Sequence, residues 1–402
     1  MRILFITDNF PPEHNAPATR TYEHAVEWVK KGHNVTIITG APNFPKGKVF
    51  HGYKNSLISK EVINGVRVLR VWTYISSNKG FLKRIIDYIS FGVSSFIVGL
   101  FIKTDIIVAT SPQFFTAISG RLLSFFKIKP WIMEVRDLWP ESIAAVGAIK
   151  KSSLIFKILE WIEYKLYNSA TKIIVVTDTF KKIINSNGID SNKIFVHKNG
   201  VVLDKFKAQN KNKKLIKSLN LSGKKIFAYV GTHGMAHGLS FIINALPELN
   251  KKLPDVKFLF IGDGAEKDNL IKEAKHLKLE NIIFLPSVQK HEIINYLSII
   301  DVALVNLKKS DTFKSVIPSK IFEAAALRKP ILLGVEGESK EIIESYGAGV
   351  CYDPGNKSDF IRACLEILKS DTYNKAKSNT KNLAKNFDRK KIAAQLLNTI
   401  IK

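Results

Sequence analysis

The sequence predicts an α/β protein built from two doubly wound domains, each with a parallel sheet. The chain has 402 residues, 46% of them hydrophobic, which is enough for a core in each of two domains of roughly 200 residues. In both halves, short apolar runs alternate with segments of helical periodicity, the pattern of parallel strands joined by helices. Several runs end in turns rich in glycine or charge. Because ligands of such sheets bind at the carboxyl ends of the strands, these turns are the candidate site.

Composition restricts the partners and the compartment. The chain carries 61 Lys and Arg against 35 Asp and Glu, a net charge of +26, which favours nucleic acid, an anionic membrane surface or a phosphorylated substrate as partner. Cys351 and Cys364 form no CxxC pair, so we expect a reducing compartment and neither a disulfide scaffold nor a zinc site. The apolar run Met1–Ile6 is too short for a signal peptide and is soon followed by Asp8. We therefore expect a cytoplasmic protein.

The first half contains seven apolar runs that predict strands. They cover Arg2–Thr7, Asn34–Thr39, Val66–Trp72, Asp105–Ala109, Trp131–Val135, Thr171–Thr177 and Lys193–His197. Between the first two runs, Thr21–Lys31 has helical periodicity, which leaves residues 9–20 as a loop at the carboxyl end of a strand. The candidate site residues of this loop are Glu13, His14, Asn15, Ala16 and Arg20. An ordinary polar surface loop is the alternative.

A charged pair follows the strand predicted at 131–135. Arg136 and Asp137 begin the run Arg-Asp-Leu-Trp-Pro-Glu directly after it. An arginine there could hold a phosphate with two parallel hydrogen bonds, and an aspartate could hold an acceptor hydroxyl or act as a base. Arg136 and Asp137 are thus candidate catalytic residues. The alternative is that both only cap the loop or form surface ion pairs.

The segment Phe81–Lys103 is unusually apolar. Its portion Tyr88–Ile102 has fifteen residues without a charge, flanked by Lys83, Arg84 and Lys103. A membrane-spanning helix needs about 20 apolar residues, so this segment is too short to span. Two interpretations remain open: a helix buried against the sheet, or an apolar helix at a membrane surface with its basic residues toward lipid phosphates.

The boundary between the domains is predicted near residue 204. Lys205–Lys225 contains eight lysines and no acidic residue, which is typical of an exposed connector. Phe206 is its only aromatic residue, whereas sites for single-stranded nucleic acid interleave aromatic and basic residues. We therefore expect no nucleic-acid partner. The predicted domains are residues 1–203 and 204–378, with the helical region 379–402 packing back on the first domain.

The second half repeats the alternation of strands and turns. Its predicted strands are Ile226–Val230, Lys257–Ile261, Asn281–Leu285, Val302–Leu307, Ile331–Leu333 and Val350–Tyr352. The first strand runs into the turn 231–238, which has glycines at positions 231, 234 and 238. Glycines there let backbone amides approach an anion at the start of a helix. The spacing is not the dinucleotide-binding fingerprint, so the position of the turn is what favours a phosphate site.

The stretch Val316–Gly334 gives the clearest chemistry. Pro318 predicts the start of a short helix, and the lysine-proline pair before the next strand predicts its end. Ser319, Lys320 and Glu323 then lie in the first turn, where amides, the helix dipole and the lysine charge would attract an anion. Glu323 could accept hydroxyl hydrogens from a sugar beside that anion, so the stretch indicates a nucleotide-diphosphate site. The alternative is a glutamate favoured by the dipole alone and a solvated lysine.

Several common catalytic motifs are absent from the sequence. It has no DxD triplet, no HExxH, no glycine-lysine-serine phosphate loop and no serine elbow. We therefore expect no metal and no cofactor, and a group transfer driven by protein charges and dipoles. Two parallel-sheet domains that face each other create a cleft, which is the usual place for a ligand.

Motifs along nearly the whole chain resemble those of one family. They are Asp8-Asn9-Phe10-Pro11-Pro12-Glu13, Val135-Arg136-Asp137-Leu138-Trp139-Pro140-Glu141, Asn199-Gly200-Val201, Val230-Gly231-Thr232, Gly262-Asp263-Gly264 and Pro318-Ser319-Lys320-Ile321-Phe322-Glu323. With these motifs the chain resembles the retaining family 4 glycosyltransferases of the GT-B fold, in which two Rossmann-like domains face each other across a cleft. Within that family it is similar to the N-acetyl-L-fucosaminyltransferases of bacterial O-antigen and capsule synthesis.

The resemblance implies a role for each matching position. Glu323 would bind the ribose hydroxyls of the donor, Gly231 would pass close to the donor phosphates, and the loop at residues 13–16 would close over the diphosphate. The expected donor-binding residues are Glu13, Asn15, Ala16, Gly231, Thr232, His233, His237, Gly262, Ser315, Pro318, Ser319 and Glu323. The expected catalytic residues are Arg136, Asp137 and Lys320.

The sequence departs from the family pattern at three places. The position eight before Glu323, where relatives often have a second glutamate, is Ser315, which puts the sugar contacts of that glutamate in doubt. Asn15 lies near a position where many relatives have glycine. The third departure concerns charge, because the basic pair common after the glycine turn is replaced near 232–233 and at His237 by uncharged or weakly basic residues. Neutralisation of the diphosphate would then depend on Lys320 and Arg136.

The expected function is transfer of a sugar from a UDP-sugar donor to a lipid-linked or saccharide acceptor. The sugar would be N-acetyl-fucosamine or another acetamido sugar. The enzyme would retain anomeric configuration without a metal and would act in O-antigen, capsule or lipopolysaccharide synthesis. It would be peripheral on the inner face of the cell membrane. Two rivals are a GT-B epimerase or hydrolase, which would convert the donor without an acceptor, and a nucleic-acid-binding protein, whose binding would depend steeply on salt.

Overall fold

In the computed structural model the chain folds as two compact units. The structure describes residues 1–44, 47–76, 81–111, 114–145, 149–288 and 292–402. The first unit contains residues 1–199 and 389–402, and the second contains residues 200–388. The boundary lies four residues before the predicted one at 203/204. Of the region 379–402, which is predicted to pack back on the first domain, only residues 389–402 belong to the first unit.

The described residues form fourteen strands. The first unit contains β1 (Arg2–Ile6), β2 (Asn34–Gly40), β3 (Ile58–Ile63), β4 (Val66–Val71), β5 (Ile106–Thr110), β6 (Trp131–Val135), β7 (Lys172–Val175) and β8 (Ile194–Val196). The second unit contains β9 (Lys225–Val230), β10 (Val256–Ile261), β11 (Ile282–Leu285), β12 (Val302–Asn306), β13 (Ile331–Gly334) and β14 (Gly349–Cys351).

Fifteen α-helices cover these strands in the described ranges. The first six are α1 (Ala16–Lys30), α2 (Phe81–Leu100), α3 (Phe114–Lys127), α4 (Glu141–Ala145), α5 (Leu154–Ser169) and α6 (Asp178–Ser186). The second unit has α7 (Lys213–Ser218), α8 (Leu239–Lys252), α9 (Lys267–His276), α10 (Ile293–Ile299), α11 (Lys320–Ala326), α12 (Glu338–Tyr346), α13 (Lys357–Leu368) and α14 (Ser370–Asn386). The last helix, α15 (Arg389–Ile401), belongs to the first unit.

The first unit is a sheet with helices on both faces. Its strand order is β3-β4-β2-β1-β5-β6-β7-β8, with β3 antiparallel to β4 and the other pairs parallel. Alternate residues of a strand face opposite sides. Accordingly, Leu4 and Ile6 of β1 belong to the core under α2, α3 and α5, whereas Ile3 and Phe5 belong to the core under α1 and α15. Both cores are aliphatic and aromatic, which explains the uninterrupted apolar runs in the sequence.

The second unit repeats this arrangement with a fully parallel sheet. Its strand order is β11-β10-β9-β12-β13-β14. The order reverses between β9 and β12, so crossover connections leave these two strands in opposite directions. In open α/β sheets, ligands bind outside the carboxyl ends of the strands at such a reversal. The turn after Val230 and the residues after Asn306 therefore lie at the expected position.

The prediction and the structure differ at three elements. Helix α1 begins at Ala16, five residues before the predicted Thr21, because the Asn15 side chain accepts a hydrogen bond from the Ala18 amide and caps it. Helix α11 begins at Lys320, with Ser319 as its cap residue, and not at Pro318. The edge strand β3 is missing from the prediction because none of its residues is fully buried and polar residues interrupt its apolar ones.

The predicted connector is part of the second unit and not a free linker. Residues 205–225 contain the helix α7, and the side chain of Leu221 is buried in the core of the second unit. The apolar segment 81–103 forms the helix α2, as predicted. Within the ranges that the structure describes, no helix is both long and apolar enough to cross a membrane.

Candidate functional site

Glycines at the ends of β9 and β10 bring two turns into backbone contact. Gly231 has φ +141° and Gly262 has φ +148°, conformations that other residues rarely adopt. A Cβ atom on Gly262 would lie 1.9 Å from the carbonyl oxygen of Gly231, and one on Gly231 would lie 2.7 Å from Nζ of Lys320. The two positions therefore require glycine, and Lys320 lies directly against the first turn.

Lys320 is held over an aromatic ring at this turn. Its Nζ donates a hydrogen bond to Oη of Tyr229 (2.7 Å) and lies 3.8 Å from the centroid of the Tyr229 ring. Tyr229 in turn donates to the carbonyl oxygen of Thr232 (2.8 Å). Burial lowers the pKa of Lys320 to about 7, with the Glu323 carboxylate partly opposing the shift. An anion placed beside Nζ would restore the full charge, so the ammonium is suited to bind a phosphate.

The two histidines of the turn are neutral near pH 7. Burial lowers the pKa of His233 to about 4, and burial followed by the Lys320 charge lowers the pKa of His237 to about 4. His233 is fully buried against Tyr229 and Phe260, and neither ring nitrogen has a hydrogen-bond partner among the described residues. Neither histidine therefore supplies a positive charge beside the glycine turn at neutral pH. Thr232 is exposed.

The remaining donor residues predicted in the second unit lie around α11. The Ser315 hydroxyl donates to the carbonyl oxygen of Thr312 (3.1 Å). Pro318, Ser319 and Glu323 are half-buried. Glu323 and Lys320 line a small cavity of about 20 Å³ whose other walls are apolar side chains of β9, β12 and neighbouring helices. The structure thus brings Glu323, Lys320 and Gly231 to one end of the sheet, as predicted.

Two side chains that the sequence did not single out also shape this end. Asn306, the last residue of β12, donates to the carbonyl oxygen of His237 (2.7 Å) and accepts from Oη of Tyr352 (2.7 Å). Lys267 donates from Nζ to the carbonyl oxygen of Gly262 (2.8 Å). Both fix the glycine turns to the sheet. Asn306 could have been predicted from the sequence, because it is a polar residue at the end of an apolar strand.

In the first unit, the Arg136 side chain is 12% exposed and has one nitrogen unpaired. Its Nε and Nη2 donate to the carbonyl oxygen of Ser111 (both 3.2 Å), and Nε lies 4.0 Å from a Glu134 oxygen. Nη1 has no hydrogen-bond partner in the described part of the chain. Burial lowers the pKa of Arg136 to about 10, so the side chain stays charged. The neighbouring Asp137 is half-buried, and burial raises its pKa.

Asp8 is a candidate that the sequence reasoning missed. It follows β1, beside the reversal of strand order between β1 and β5. Burial, with smaller contributions from the Asp87 and Glu13 carboxylates, raises the pKa of Asp8 to about 7, and the Arg136 charge opposes the shift. Burial also raises the pKa of Asp87 to about 6. A carboxylate near its pKa at neutral pH is suited to proton transfer.

The loop residues Glu13 and Asn15 bind the protein itself. The Glu13 carboxylate is buried and accepts hydrogen bonds from the amides of Phe10 (3.2 Å), Asn43 and Phe44 (both 2.9 Å). Asn15 caps α1 and donates from its side chain to Oδ1 of Asn9 (2.6 Å). Both side chains therefore hold the loops after β1 and β2. Ala16 is exposed as the first residue of α1, and His14 is exposed.

Arg20 has a structural environment and lies in a helix, not in the predicted loop. It is buried in α1, where Nε pairs with the buried Glu134 carboxylate (3.1 Å). Its other nitrogens donate to the carbonyl oxygens of His197 (3.1 Å) and Lys198 (3.3 Å) and to Oδ1 of Asn199 (3.0 Å). Arg20 therefore ties α1 to β6 and to the segment after β8.

Proteins of known structure share the fold. The chain is similar to a sucrose-phosphate synthase from Thermosynechococcus elongatus, with a TM-score of 0.78 and 15% identity over 99% of this chain and 97% of that chain. It is similar to Anabaena Alr3699/HepE, solved in complex with UDP and glucose, with a TM-score of 0.70 and 17% identity over 99% of both chains. The fold is the GT-B fold of glycosyltransferases.

Two domain families cover almost the whole chain. Residues 15–200 match the glycosyl transferase 4-like domain, and residues 210–386 match the glycosyl transferases group 1. The chain therefore belongs to the glycosyltransferases that combine these two domains, and it is a glycosyltransferase enzyme.

Two curated relatives carry names of the same kind. "Probable glycosyltransferase WbjE" of Pseudomonas aeruginosa is 27% identical over 60% of this chain, and the match spans 60% of that relative's length. "Putative colanic acid biosynthesis glycosyl transferase WcaI" of Escherichia coli K12 is 24% identical over the full length of both chains.

In the described part of this chain, no three His, Cys, Asp or Glu side chains cluster in a way that could hold a metal ion.

Proposed function

We propose that the second unit binds a UDP-sugar donor and holds its nucleotide diphosphate at the carboxyl ends of β9, β10 and β12. The observation that carries the proposal is the position of Lys320, whose ammonium rests on Tyr229 and against Gly231 at the reversal of strand order. A buried ammonium with a lowered pKa gains a full charge when an anion arrives. The solved relative in complex with UDP and glucose supports a UDP donor.

Each predicted donor residue then has a distinct part. The turn from Gly231 to Thr232, packed on Gly262, offers backbone amides to the phosphates, and Lys320 supplies the charge. Glu323 accepts the ribose hydroxyls. The neutral imidazoles of His233 and His237, together with Ser315, Pro318 and Ser319, shape the pocket for the sugar and the nucleotide. The loop at Glu13, Asn15 and Ala16 contributes backbone contacts, because the first two side chains bind within the loop.

The proposed reaction retains the configuration of the sugar and needs no metal. The acceptor oxygen attacks the anomeric carbon while the bond from that carbon to the diphosphate oxygen breaks, and the diphosphate leaves with the electron pair. The acceptor proton passes to the leaving phosphate oxygen on the same face, so no strong protein base is required. Stabilisation of the departing charge by fixed amides and Lys320 would be worth about 3 kcal/mol.

The first unit is proposed to orient the acceptor. Asp137 would orient the acceptor by accepting a hydrogen bond from one of its hydroxyls, and the unpaired Nη1 of Arg136 would bind a phosphate oxygen. The acceptor is a lipid-linked intermediate or a saccharide of cell-surface polysaccharide synthesis, of the O-antigen or capsule kind, and a relative named for colanic acid biosynthesis supports this. The sugar is N-acetyl-fucosamine or another acetamido sugar, and the enzyme acts as a peripheral protein on the cytoplasmic face of the membrane.

Thermal unfolding in the presence of sugar nucleotides tests the donor. A ligand that binds only the folded state adds to the free energy of unfolding, by about 2.7 kcal/mol when its concentration is a hundred times Kd, and so raises the unfolding temperature. We expect UDP and UDP-acetamido sugars to raise it more than GDP- or dTDP-sugars do. A preference for GDP- or dTDP-sugars would reject UDP as the donor nucleotide.

An assay without acceptor separates transfer from the rival reactions. A transferase leaves a UDP-sugar unchanged when it is incubated alone, whereas an epimerase or hydrolase converts it, and proton NMR of the anomeric region distinguishes the two. With a lipid-linked acceptor, the same spectra report whether the product keeps the α or β configuration of the donor. Activity that disappears in excess chelator and returns with a divalent cation would overturn the metal-independent mechanism.

A further inference from the structure

Exposed apolar side chains concentrate on three helices of the first unit. Helices α2, α3 and α5 pack in series over one face of the sheet, and their inner sides carry the buried residues Phe91, Leu123 and Leu166. Of the 25 large apolar side chains that are exposed in the described residues, fifteen lie on these helices or on the residue that follows α2 or α3. Only Met235 and Leu365 lie in the second unit. We call the outer side of α2, α3 and α5 the three-helix face.

The apolar residues of α2 form a stripe along this face. Ile86, Val93 and Ile97 are each about half exposed, at 49%, 53% and 51%. Their spacing of seven and four residues puts them on one side of a helix. This is the side opposite the buried Phe91 and Val98. The helix is therefore apolar on both its inner and its outer side, which a helix that only covers a sheet does not require.

The tips of α2 and α3 join into one apolar cluster. Phe101, Phe125 and Ile128 are exposed at 82%, 76% and 88%. The tips touch, because Nζ of Lys127 donates to the carbonyl oxygen of Leu100 (2.8 Å) and the ring of Phe126 lies 5.6 Å from that of Phe96. A contiguous exposed patch of this kind marks an interaction site on a soluble domain.

Ile128 is an unusual residue for the turn that ends α3. Its φ is +53°, in the left-handed region where glycine or asparagine usually ends a helix. A β-branched residue is strained there, and burial offers no compensation, because the side chain is almost fully exposed. Strained residues persist where they serve a function. A contact outside the unit would account for an exposed isoleucine at this position.

The charges around the three-helix face indicate what it contacts. Residues 81–129 and 150–165 contain ten Lys and Arg against four Asp and Glu. One of the acids, Glu163, is buried, and burial raises its pKa to about 9, so it adds no negative charge at neutral pH. An apolar centre with a basic surround fits the boundary between lipid tails and anionic headgroups. A second copy of this chain fits less well, because a symmetric interface would bring the two basic surrounds together.

We propose that the three-helix face docks on an anionic lipid bilayer, with Phe101, Phe125 and Ile128 inserted among the lipids and the surrounding lysines and arginines on the headgroup phosphates. The proposal rests on the proposed function, because docking on the bilayer would bring the enzyme to a lipid-linked acceptor in the membrane. It adds the face, the anchoring residues and the lipid charge. The chain lies on the bilayer by this face and does not cross it.

Vesicle binding tests the anchors. The full chain is mixed with vesicles of phosphatidylglycerol and phosphatidylcholine in equal parts, or of phosphatidylcholine alone, and bound protein is measured by flotation. We expect strong binding to the first and weak binding to the second. Removing two large apolar anchors, in the double variant Phe101→Ser/Phe125→Ser, should weaken binding by about tenfold or more. The control Leu57→Ser removes an equally exposed side chain outside the three helices, just before the edge strand β3, where the Leu57 carbonyl accepts from the Trp72 amide, and should bind normally.

Ile128→Gly separates docking from folding. Glycine relieves the strain, so the unfolding temperature should stay the same or rise while vesicle binding falls several-fold. Raising salt from about 0.1 M to about 0.5 M should weaken wild-type binding, because the basic residues are then screened. UDP should still raise the unfolding temperature of both variants, so a failure of docking is distinguishable from a failure of the donor site.

Four results would contradict parts of the docking proposal. Equal binding to both vesicle types would reject the role of lipid charge, and equal binding of wild type and the double variant would reject the anchoring residues. A lower unfolding temperature of Ile128→Gly would reject the strain argument. Light scattering that shows a wild-type dimer without lipid, and a monomer for the double variant, would make the face an interface between copies.

Discussion

The buried ammonium of Lys320 should make UDP binding depend on pH. Burial lowers its pKa to about 7 in the free protein. A diphosphate beside Nζ favours the charged form and raises the pKa in the complex. As pH rises above 7, the free protein loses this proton while the complex keeps it, so the proton must be taken up on binding and the affinity falls.

The size of the effect follows from the two pKa values. If the diphosphate raises the pKa of Lys320 to about 9, the affinity for UDP should fall about 25-fold between pH 7 and pH 9. By the same relation, binding should take up about 0.5 proton at pH 7 and about 0.8 proton at pH 8. His233 and His237 have pKa values of about 4 and do not titrate in this range. The terminal phosphate of the nucleotide, with a pKa of about 6, is already largely ionised.

Isothermal titration calorimetry measures both quantities. Titrations of UDP at pH 7, 8 and 9, each in two buffers with different ionisation enthalpies, give the affinity and the number of protons taken up. Lys320→Met keeps the length of the side chain without the charge, so it should bind weakly and without the pH slope. Lys272→Met, at an exposed lysine of α9, is the matched control and should behave as wild type. An affinity that is constant from pH 7 to pH 9, or a slope that survives in Lys320→Met, would refute the reasoning.

Three further changes test other parts of the account. Glu323→Ala should raise KM for the donor about thirtyfold, because hydrogen bonds to a charged group are worth about 2 kcal/mol; undiminished activity at limiting donor would count against the ribose assignment. Glu13→Ala leaves three amides without their carboxylate and should lower the free energy of unfolding by about 3 kcal/mol in urea titrations, and an unchanged midpoint would show that water replaces the carboxylate. Gly262→Ala should prevent stable folding, because its Cβ would overlap the Gly231 carbonyl. The control is Gly188→Ala, at a glycine that also has a positive φ but where a Cβ would meet no atom within 4 Å; it should lower the free energy of unfolding by only about 1 kcal/mol in the same urea titration.

Much of the fold could be predicted because buried parallel strands leave uninterrupted apolar runs. Trp131–Val135 is both the predicted run and the observed β6. The exception, β3, is an edge strand whose side chains are mostly exposed, so its sequence lacks that signal. The pair Asn64-Gly65 between β3 and β4, with both φ values positive, is a strong hairpin signal that could have found it. The early start of α1 depends on the cap bond of Asn15, a local contact that helical periodicity does not register.

The candidate site could be predicted only where its chemistry lies in loops. Gly231 was singled out because it follows an apolar strand, and Lys320 because Pro318 marks the start of a helix. Tyr229 was not, because an aromatic residue inside a strand is indistinguishable from core until its hydroxyl is seen to accept from Lys320. Glu13 and Asn15 illustrate the converse, since polar loop residues that look available for a ligand bind the loop itself. Sequence gives the residue type at a strand end, but not which partner its side chain takes.

Hydrogen exchange with and without UDP tests the central claim most directly. The claim is that a nucleotide diphosphate binds the glycine turn and the start of α11 in the second unit. Saturating UDP should slow the exchange of amides in peptides that cover residues 230–239 and 317–324, and should leave those of β3 and β4 unchanged. Exchange that stays fast in both peptides while UDP protects a different part of the chain would contradict the account.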